Sequence, residues 1–282
     1  MENVITSDDI LGKDVLDKSG DLIGVIQMIH IDKEKRSVIC PGFFGARISD
    51  CESDNSFSPE GIGDAYLISL KRNYFAIADS PEWNFAASRE FLLKFNEQVE
   101  RLFKENSAMG GNGYDIDELK EVLVESTNQL IETIEFLSST TFTCLFVVPS
   151  SSGLRGLALH NGDSCLFKVD LHKNAISQVS NTNMHFIGRS KKLSQAQIIE
   201  IEEDTRFVLC TDGLQVLSRN RRNTNLEKIL LESFTQAEID RIPDLLIDDY
   251  GGNIEFNDDL GVIVLDPNMH NGSKDIFING GE

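Results

Sequence analysis

The chain has 282 residues, with 26 Lys and Arg against 46 Asp and Glu and a formal charge of −20. Such a surface repels phosphate backbones and anionic lipid, so no nucleic acid and no membrane partner is expected. The hydrophobic share of 40% fills one large domain or two small ones and excludes wholesale disorder, and no apolar run approaches the roughly 18–20 residues of a membrane span.

The N-terminus, MENVITSDDILGKDV, lacks the basic and apolar regions of a signal peptide, and a cytoplasmic location is expected. Cys40, Cys51, Cys144, Cys165 and Cys210 form no CxxC pair, and three of them lie inside apolar runs. They read as small buried side chains in a reducing compartment. The five histidines show no HxH or HxxxH spacing, which argues against an imidazole zinc site.

In chain order, residues 10–40 read as short strands at 14–16, 22–31 and 37–40, with a turn over 17–21. Residues 41–63 are rich in Gly, Ser, Asp and Asn and read as a loop. Two apolar strands, 64–70 and 74–79, flank the polar turn Lys71-Arg72-Asn73 as a hairpin. Helical periodicity follows over 85–104, with Phe91, Leu92, Phe95, Val99, Leu102 and Phe103 on one side. After a Gly-rich break at 109–113, a second helix is expected over about 117–137. Antiparallel strands are expected at 140–148, 156–160, 165–169 and 175–179, then a short helix at 194–197 and strands at 198–201 and 206–210. A helix starting near Leu214, helical sequence over 225–249 broken at Pro243, and a strand at 260–265 complete the pattern. Helices and strands are grouped rather than alternating, so the class is α+β, with helices on the faces of antiparallel sheets.

The acidic residues recur at strand ends. Asp79 follows one apolar strand, Asp163 another, and Thr211-Asp212-Gly213 a third; Gly63-Asp64 and Asn257-Asp258-Asp259 precede two more. Each by itself is an ordinary turn or cap residue. Jointly, carboxylates at one sheet edge provide the hard oxygen ligands that Mg²⁺ and Mn²⁺ prefer.

The same elements resemble those of the metal-dependent serine/threonine protein phosphatases, the protein phosphatase 2C or PPM family. Phe75-Ala-Ile-Ala-Asp79 is similar to the family's strand ending in Ala-Asp-Gly, and Ser138-Ser-Thr-Thr141 with the strand after it to its Gly-Ser-Thr-Thr element. Leu157-Ala-Leu-His-Asn-Gly-Asp-Ser164 resembles its strand and Gly-Asp-Ser turn. Phe207-Val-Leu-Cys-Thr-Asp-Gly-Leu214 resembles its Ser-Asp-Gly-Leu motif, and Asn257-Asp-Asp-Leu-Gly-Val-Ile-Val264 its terminal Asp-Asn strand. The matches fall in the family's order over about residues 60–266.

The resemblance implies a four-layer α-β-β-α sandwich and a hydrolase acting on phosphoserine and phosphothreonine in phosphoprotein substrates, a signalling activity. It implies two Mg²⁺ or Mn²⁺ ions, with a third, weaker one in some members. Asp79 would bridge two metals, Asp212 and Asp258 would bind the second, and Asp163 with Asp212 would hold the third. Asp64 is matched to the first ligand, with Asp54 as its competitor; Ser80 would offer its carbonyl, and Arg47 is the candidate for phosphate contact. No side-chain nucleophile is implied: the ions would lower the pKa of a shared water for in-line attack on phosphorus.

Two departures touch one metal. The family loop Asp-Gly-x-Gly-Gly is here Asp79-Ser80-Pro81-Glu82-Trp83-Asn84, and the upstream Asn-Glu-Asp element is degraded. A catalytically impaired phosphatase-like binding or regulatory module is therefore the alternative, and an unrelated α+β protein with structural acidic turns is a third reading. Residues 46–267 are expected to form the phosphatase-like domain. Residues 1–45 would be an N-terminal β segment supplying extra edge strands to it, and 268–282 a flexible tail.

Overall fold

Strands apolar along their whole length need two buried faces, and Tyr74–Ala78 and Leu260–Leu265 have them. The computed structural model describes residues 14–16, 22–25, 29–32, 35–49, 62–81, 86–105, 115–135, 138–151, 153–215, 226–250, 259–269 and 277–280. Its strands are β1 (Asp14–Leu16), β2 (Leu22–Val25), β3 (His30–Asp32), β4 (Ser37–Cys40), β5 (Phe44–Ser49), β6 (Ala65–Ser69), β7 (Tyr74–Ala78), β8 (Phe142–Ser150), β9 (Gly153–Asn161), β10 (Cys165–Asp170), β11 (Ala175–Gln178), β12 (Gln195–Glu200), β13 (Thr205–Cys210), β14 (Leu260–Leu265) and β15 (Phe277–Gly280). The helices are α1 (Ala86–Glu105), α2 (Ile116–Thr133) and α3 (Leu226–Gln236), with a run of tight helical turns over residues 239–250.

Among the described residues, one sheet runs β11-β10-β13-β14-β5-β4-β3 and a second β12-β9-β8-β7-β6-β15, with every ladder antiparallel. β1 and β2 form a separate pair. Phe75 and Ile77 of β7 meet Phe44, Phe207 and Ile263 between the sheets. Tyr74, Ala76 and Ala78 face the other way, onto Phe91, Phe95 and Leu123 of α1 and α2. Val208, Val262 and Val264 pack outward against Ile229 and Leu230 of α3 and Ile242 and Leu246. Three apolar layers between four structural layers give an α-β-β-α sandwich.

Several elements differ from the sequence reading. Residues 44–49, expected within a loop, form β5, an interior strand between β14 and β4. The strand is Phe-Gly-Ala-Arg-Ile-Ser, and Gly45 and Arg47 erase the apolar alternation on its outer face. The polar run at 194–197 enters strand β12, whose pairing to β9 overrides helix propensity. The helical stretch breaks between Gln236 and Ile239, and Pro243 opens the next helical turn, where its missing N–H costs nothing. In the segment read as a tail, Phe277–Gly280 pairs with β6 as an edge strand; four residues are too few to show a period.

Candidate metal centre

The acids collect where strands of both sheets end. Asp79 leaves β7 and is stitched to the start of β8. Its N–H donates to Thr141 Oγ1 (2.8 Å), and its carbonyl accepts from the Thr141 N–H (2.7 Å) and Thr140 Oγ1 (2.8 Å). Thr141 Oγ1 also shares a 2.6 Å hydrogen bond with Ser164 Oγ, next to Asp163 in the β9–β10 turn. Asp79 and Asp163 line one cavity of about 280 Å³ together with Ser80, Pro81, Ser139, Thr141, Phe186 and Arg189.

The glycine-free loop fits because the compensating glycine lies elsewhere. A Cβ on Gly63 would sit 1.9 Å from the Ser80 carbonyl oxygen and 3.5 Å from Asp79 Oδ1, so only glycine admits the loop there. The Ser80 N–H and hydroxyl both donate to the Gly63 carbonyl (3.1 and 3.2 Å), and Ser88 Oγ donates to the same oxygen at 2.6 Å. The Ser80 side chain is thus buried beneath the loop, where it anchors the carbonyl next to Asp79.

Asp212 opens a short 3₁₀ turn after β13. The motif's glycine is again steric: a Cβ on Gly213 would meet the Asp259 carbonyl oxygen at 2.2 Å. Thr211 locks this turn to both sheets. Its hydroxyl donates to Asp64 Oδ2 (2.8 Å) and accepts from the Gly261 N–H (2.9 Å), while its N–H donates to the Gly261 carbonyl (3.0 Å). Asp64 is almost fully buried, as is Asp259, whose Oδ2 accepts the Gly63 N–H at 2.7 Å.

Charge is crowded here. Burial and then the neighbouring Asp212 carboxylate push the Asp163 pKa up, against a smaller downward pull from a backbone hydrogen bond. Among the described residues, no group of three or more His, Cys, Asp or Glu is spaced to hold a metal ion. Asp258 and Asp54 lie outside the described residues.

Arg47 is engaged by carboxylates of the fold. It lies on the outer face of β5, opposite Val262, and donates to Asp244 (2.9 Å) and Asp248 (2.8 Å) of the helical turns. It is not among the described residues that line the cavity. The cation that does line the cavity, Arg189, was missed by the sequence reading. It sits in the β11–β12 connection, which two backbone bonds between Ile187 and Thr140 (2.8 and 3.1 Å) tie to the β8 entrance. Asn183 fastens the same connection to the Asp163 turn: its N–H donates to the Gly162 carbonyl (2.8 Å), and its Oδ1 accepts the Gly162 N–H (3.2 Å).

No family model matches the chain, and no curated protein matches it in sequence. Solved structures do match in shape. The catalytic domain of the serine/threonine phosphatase PstP, in complex with two manganese ions, superposes with a TM-score of 0.58 at 17% identity, over 79% of this chain and 96% of that one. The PPM Ser-Thr phosphatase MsPP from Mycobacterium smegmatis, in complex with cacodylate, gives 0.51 at 16% identity, over 78% and 97%. The PP2C phosphatase domain of SpoIIE from Bacillus subtilis, with a fragment of its regulatory domain, gives 0.53 at 15%, over 79% and 62%. The chain has the fold of the bacterial PP2C/PPM phosphatase domains.

Proposed function

We propose that this chain is a divalent-metal-dependent phosphatase that removes phosphate from phosphoserine and phosphothreonine in proteins. The observation that carries the reading is the cavity between the sheet ends, walled by Asp79 and Asp163 and lined by Arg189. Its volume of about 280 Å³ suits a phosphoryl group on a side chain rather than a large cofactor.

The donor set fits a hard cation: carboxylate and carbonyl oxygens, with like-charge crowding at Asp163 that bound positive charge would relieve. Asp79, Asp163, Asp212 and Asp258, with the Ser80 carbonyl, are the residues that would hold Mg²⁺ or Mn²⁺. The metal, when bound, supplies an activated water and neutralises phosphoryl charge. In this reading Asp64 and Thr211 act from beneath: their 2.8 Å bond fixes the turn that presents Asp212. Arg189 takes the phosphoryl-facing role first expected of Arg47, binding the dianion through its forked N–H groups. His160 is no proton donor, because burial pushes its pKa down to about 4 and its ring engages Thr143 Oγ1 (2.9 Å) and the Asn181 carbonyl (3.2 Å).

The test is hydrolysis of p-nitrophenyl phosphate and of phosphoserine and phosphothreonine peptides across a Mn²⁺ and Mg²⁺ titration. Turnover should require metal, and Asp79→Asn and Asp212→Asn should each lower it by roughly 10³-fold or more. Both variants should keep the wild-type circular dichroism. Hydrolysis at no metal concentration would sink the catalytic reading.

A further inference from the structure

The acid site stands above two thiols that its chemistry does not use. Cys165 of β10 and Cys210 of β13 are direct cross-strand partners. Both are free, buried, and on the helix-facing side of their sheet. Opposed residues in an antiparallel pair hold their Cα atoms about 4.5 or 5.5 Å apart. Either spacing falls inside the roughly 4.4–6.8 Å that a disulfide spans.

The surroundings of the Cys165 sulfur are polar on one side. Its Sγ donates to the Asp163 carbonyl (3.5 Å) and is approached by Gln178 Nε2 (3.5 Å) and Gln215 Nε2 (3.9 Å). Gln178 is exposed, so this sulfur lies one side chain below solvent. Cys144 differs: it is sealed in the apolar layer under α1 and α2.

We propose that Cys165 and Cys210 are a reversible redox pair, closed to a disulfide by hydroperoxides, whose closure shuts the acid site. One cysteine sulfur attacks a peroxide oxygen, the O–O bond breaks, and a sulfenic acid and one water (or alcohol) result. The second sulfur then attacks the sulfenic sulfur, forming S–S and releasing water. The dithiol loses two electrons and two protons, and the peroxide takes them up. The site feels the closure because Cys165 is two residues after Asp163 and Cys210 two before Asp212. Closure removes the Sγ–H bond to the Asp163 carbonyl and repositions both strand ends. This last link rests on the phosphatase reading; the disulfide does not.

The experiment exposes the native full chain to hydrogen peroxide, traps remaining thiols by alkylation under denaturing conditions, and maps peptides by mass. A Cys165–Cys210 linked peptide is expected, two hydrogens lighter than the pair, while Cys144 stays alkylated. Mn²⁺-dependent hydrolysis should fall roughly tenfold or more and return with dithiothreitol. Cys165→Ser and Cys165→Ala should both lose the linked peptide and keep their hydrolysis in peroxide; using two replacements separates this effect from a folding defect. No linked peptide, or only singly oxidised thiols, overturns the pair. A linked peptide with unchanged hydrolysis overturns the coupling to the site. If the reduced chain hydrolyses nothing, the phosphatase reading fails separately. The coupling is then read from the Mn²⁺-induced rise in melting temperature, which closure should abolish; its persistence overturns the coupling.

Discussion

Two acid-rich regions of this molecule are built in opposite ways. Along the helical turns outside β5, Asp244 and Asp248 close on the Arg47 guanidinium, and hydrogen bonding to Arg47 pulls the Asp248 pKa down. At the sheet ends, burial and Asp212 push the Asp163 pKa up. The first region holds carboxylates that the fold has already neutralised. The second holds Asp163 beside Asp212 at a cost, and a carboxylate raised in this way within a cleft is one that a bound cation would lower. Acid content alone would have ranked the two alike; the direction of the shift separates them.

The largest effect that would sharpen this contrast is the loss of roughly three orders of magnitude in turnover from Asp79→Asn or Asp212→Asn, against no loss from Asp248→Asn. Next comes the pH window in which the contrast can be read at all. His160 lies next to the last residue of β9, just before the Asp163 turn, with its pKa lowered from 6.5 to about 4 by burial. The folded state therefore binds this proton less readily than the unfolded one. Its contribution is fully present above about pH 6.5 and is lost as pH falls toward 4, on the order of 3 kcal/mol. Urea unfolding at pH 7 and 4.5 should show that loss, and His160→Gln should reduce the slope. An unchanged slope would place acid sensitivity elsewhere.

Arg189→Ala should lower kcat/KM for phosphopeptides about 10- to 100-fold, near 2 kcal/mol, with Mn²⁺ affinity nearly unchanged. Arg47→Met should do the reverse: about 1–2 kcal/mol of stability lost by urea unfolding and kcat/KM kept. If Arg47→Met abolished turnover and Arg189→Ala did not, the two arginines would exchange roles and the comparison would break.

What the sequence made legible depended on how local each feature was. The β6–β7 hairpin, α1 and α2 follow from periodicity and a turn, and the acids at their ends are visible because turns punctuate the chain. β5 was read as loop because one of its two partner strands, β14, lies about 200 positions away, and Arg47 likewise bonds Asp244 and Asp248 across separations of 197 and 201. Arg189 carries no periodic signal, and its place at the cavity follows from long-range ties of its connection, the Thr140–Ile187 bridge and the Asn183–Gly162 bonds. The missing loop glycine looked damaging at Ser80. Its answer, Gly63, lies 17 residues upstream and matters only once the two segments touch.

The smallest predicted effect is the most direct measure of crowding. Without metal, Asp163→Asn removes a charge that burial and Asp212 disfavour, so the variant should melt higher than wild type, by about 1–2 °C at pH 7. Asp248→Asn removes a charge that Arg47 favours, so it should melt lower by a similar amount. Saturating Mn²⁺ should reverse the first sign, because the wild-type carboxylate then gains a partner that asparagine cannot match, and should leave the second untouched. Calorimetry of both variants with and without Mn²⁺ reads all four values. An Asp163→Asn protein that melts below wild type without metal would mean that the cavity acids are already compensated within the fold, as those around Arg47 are.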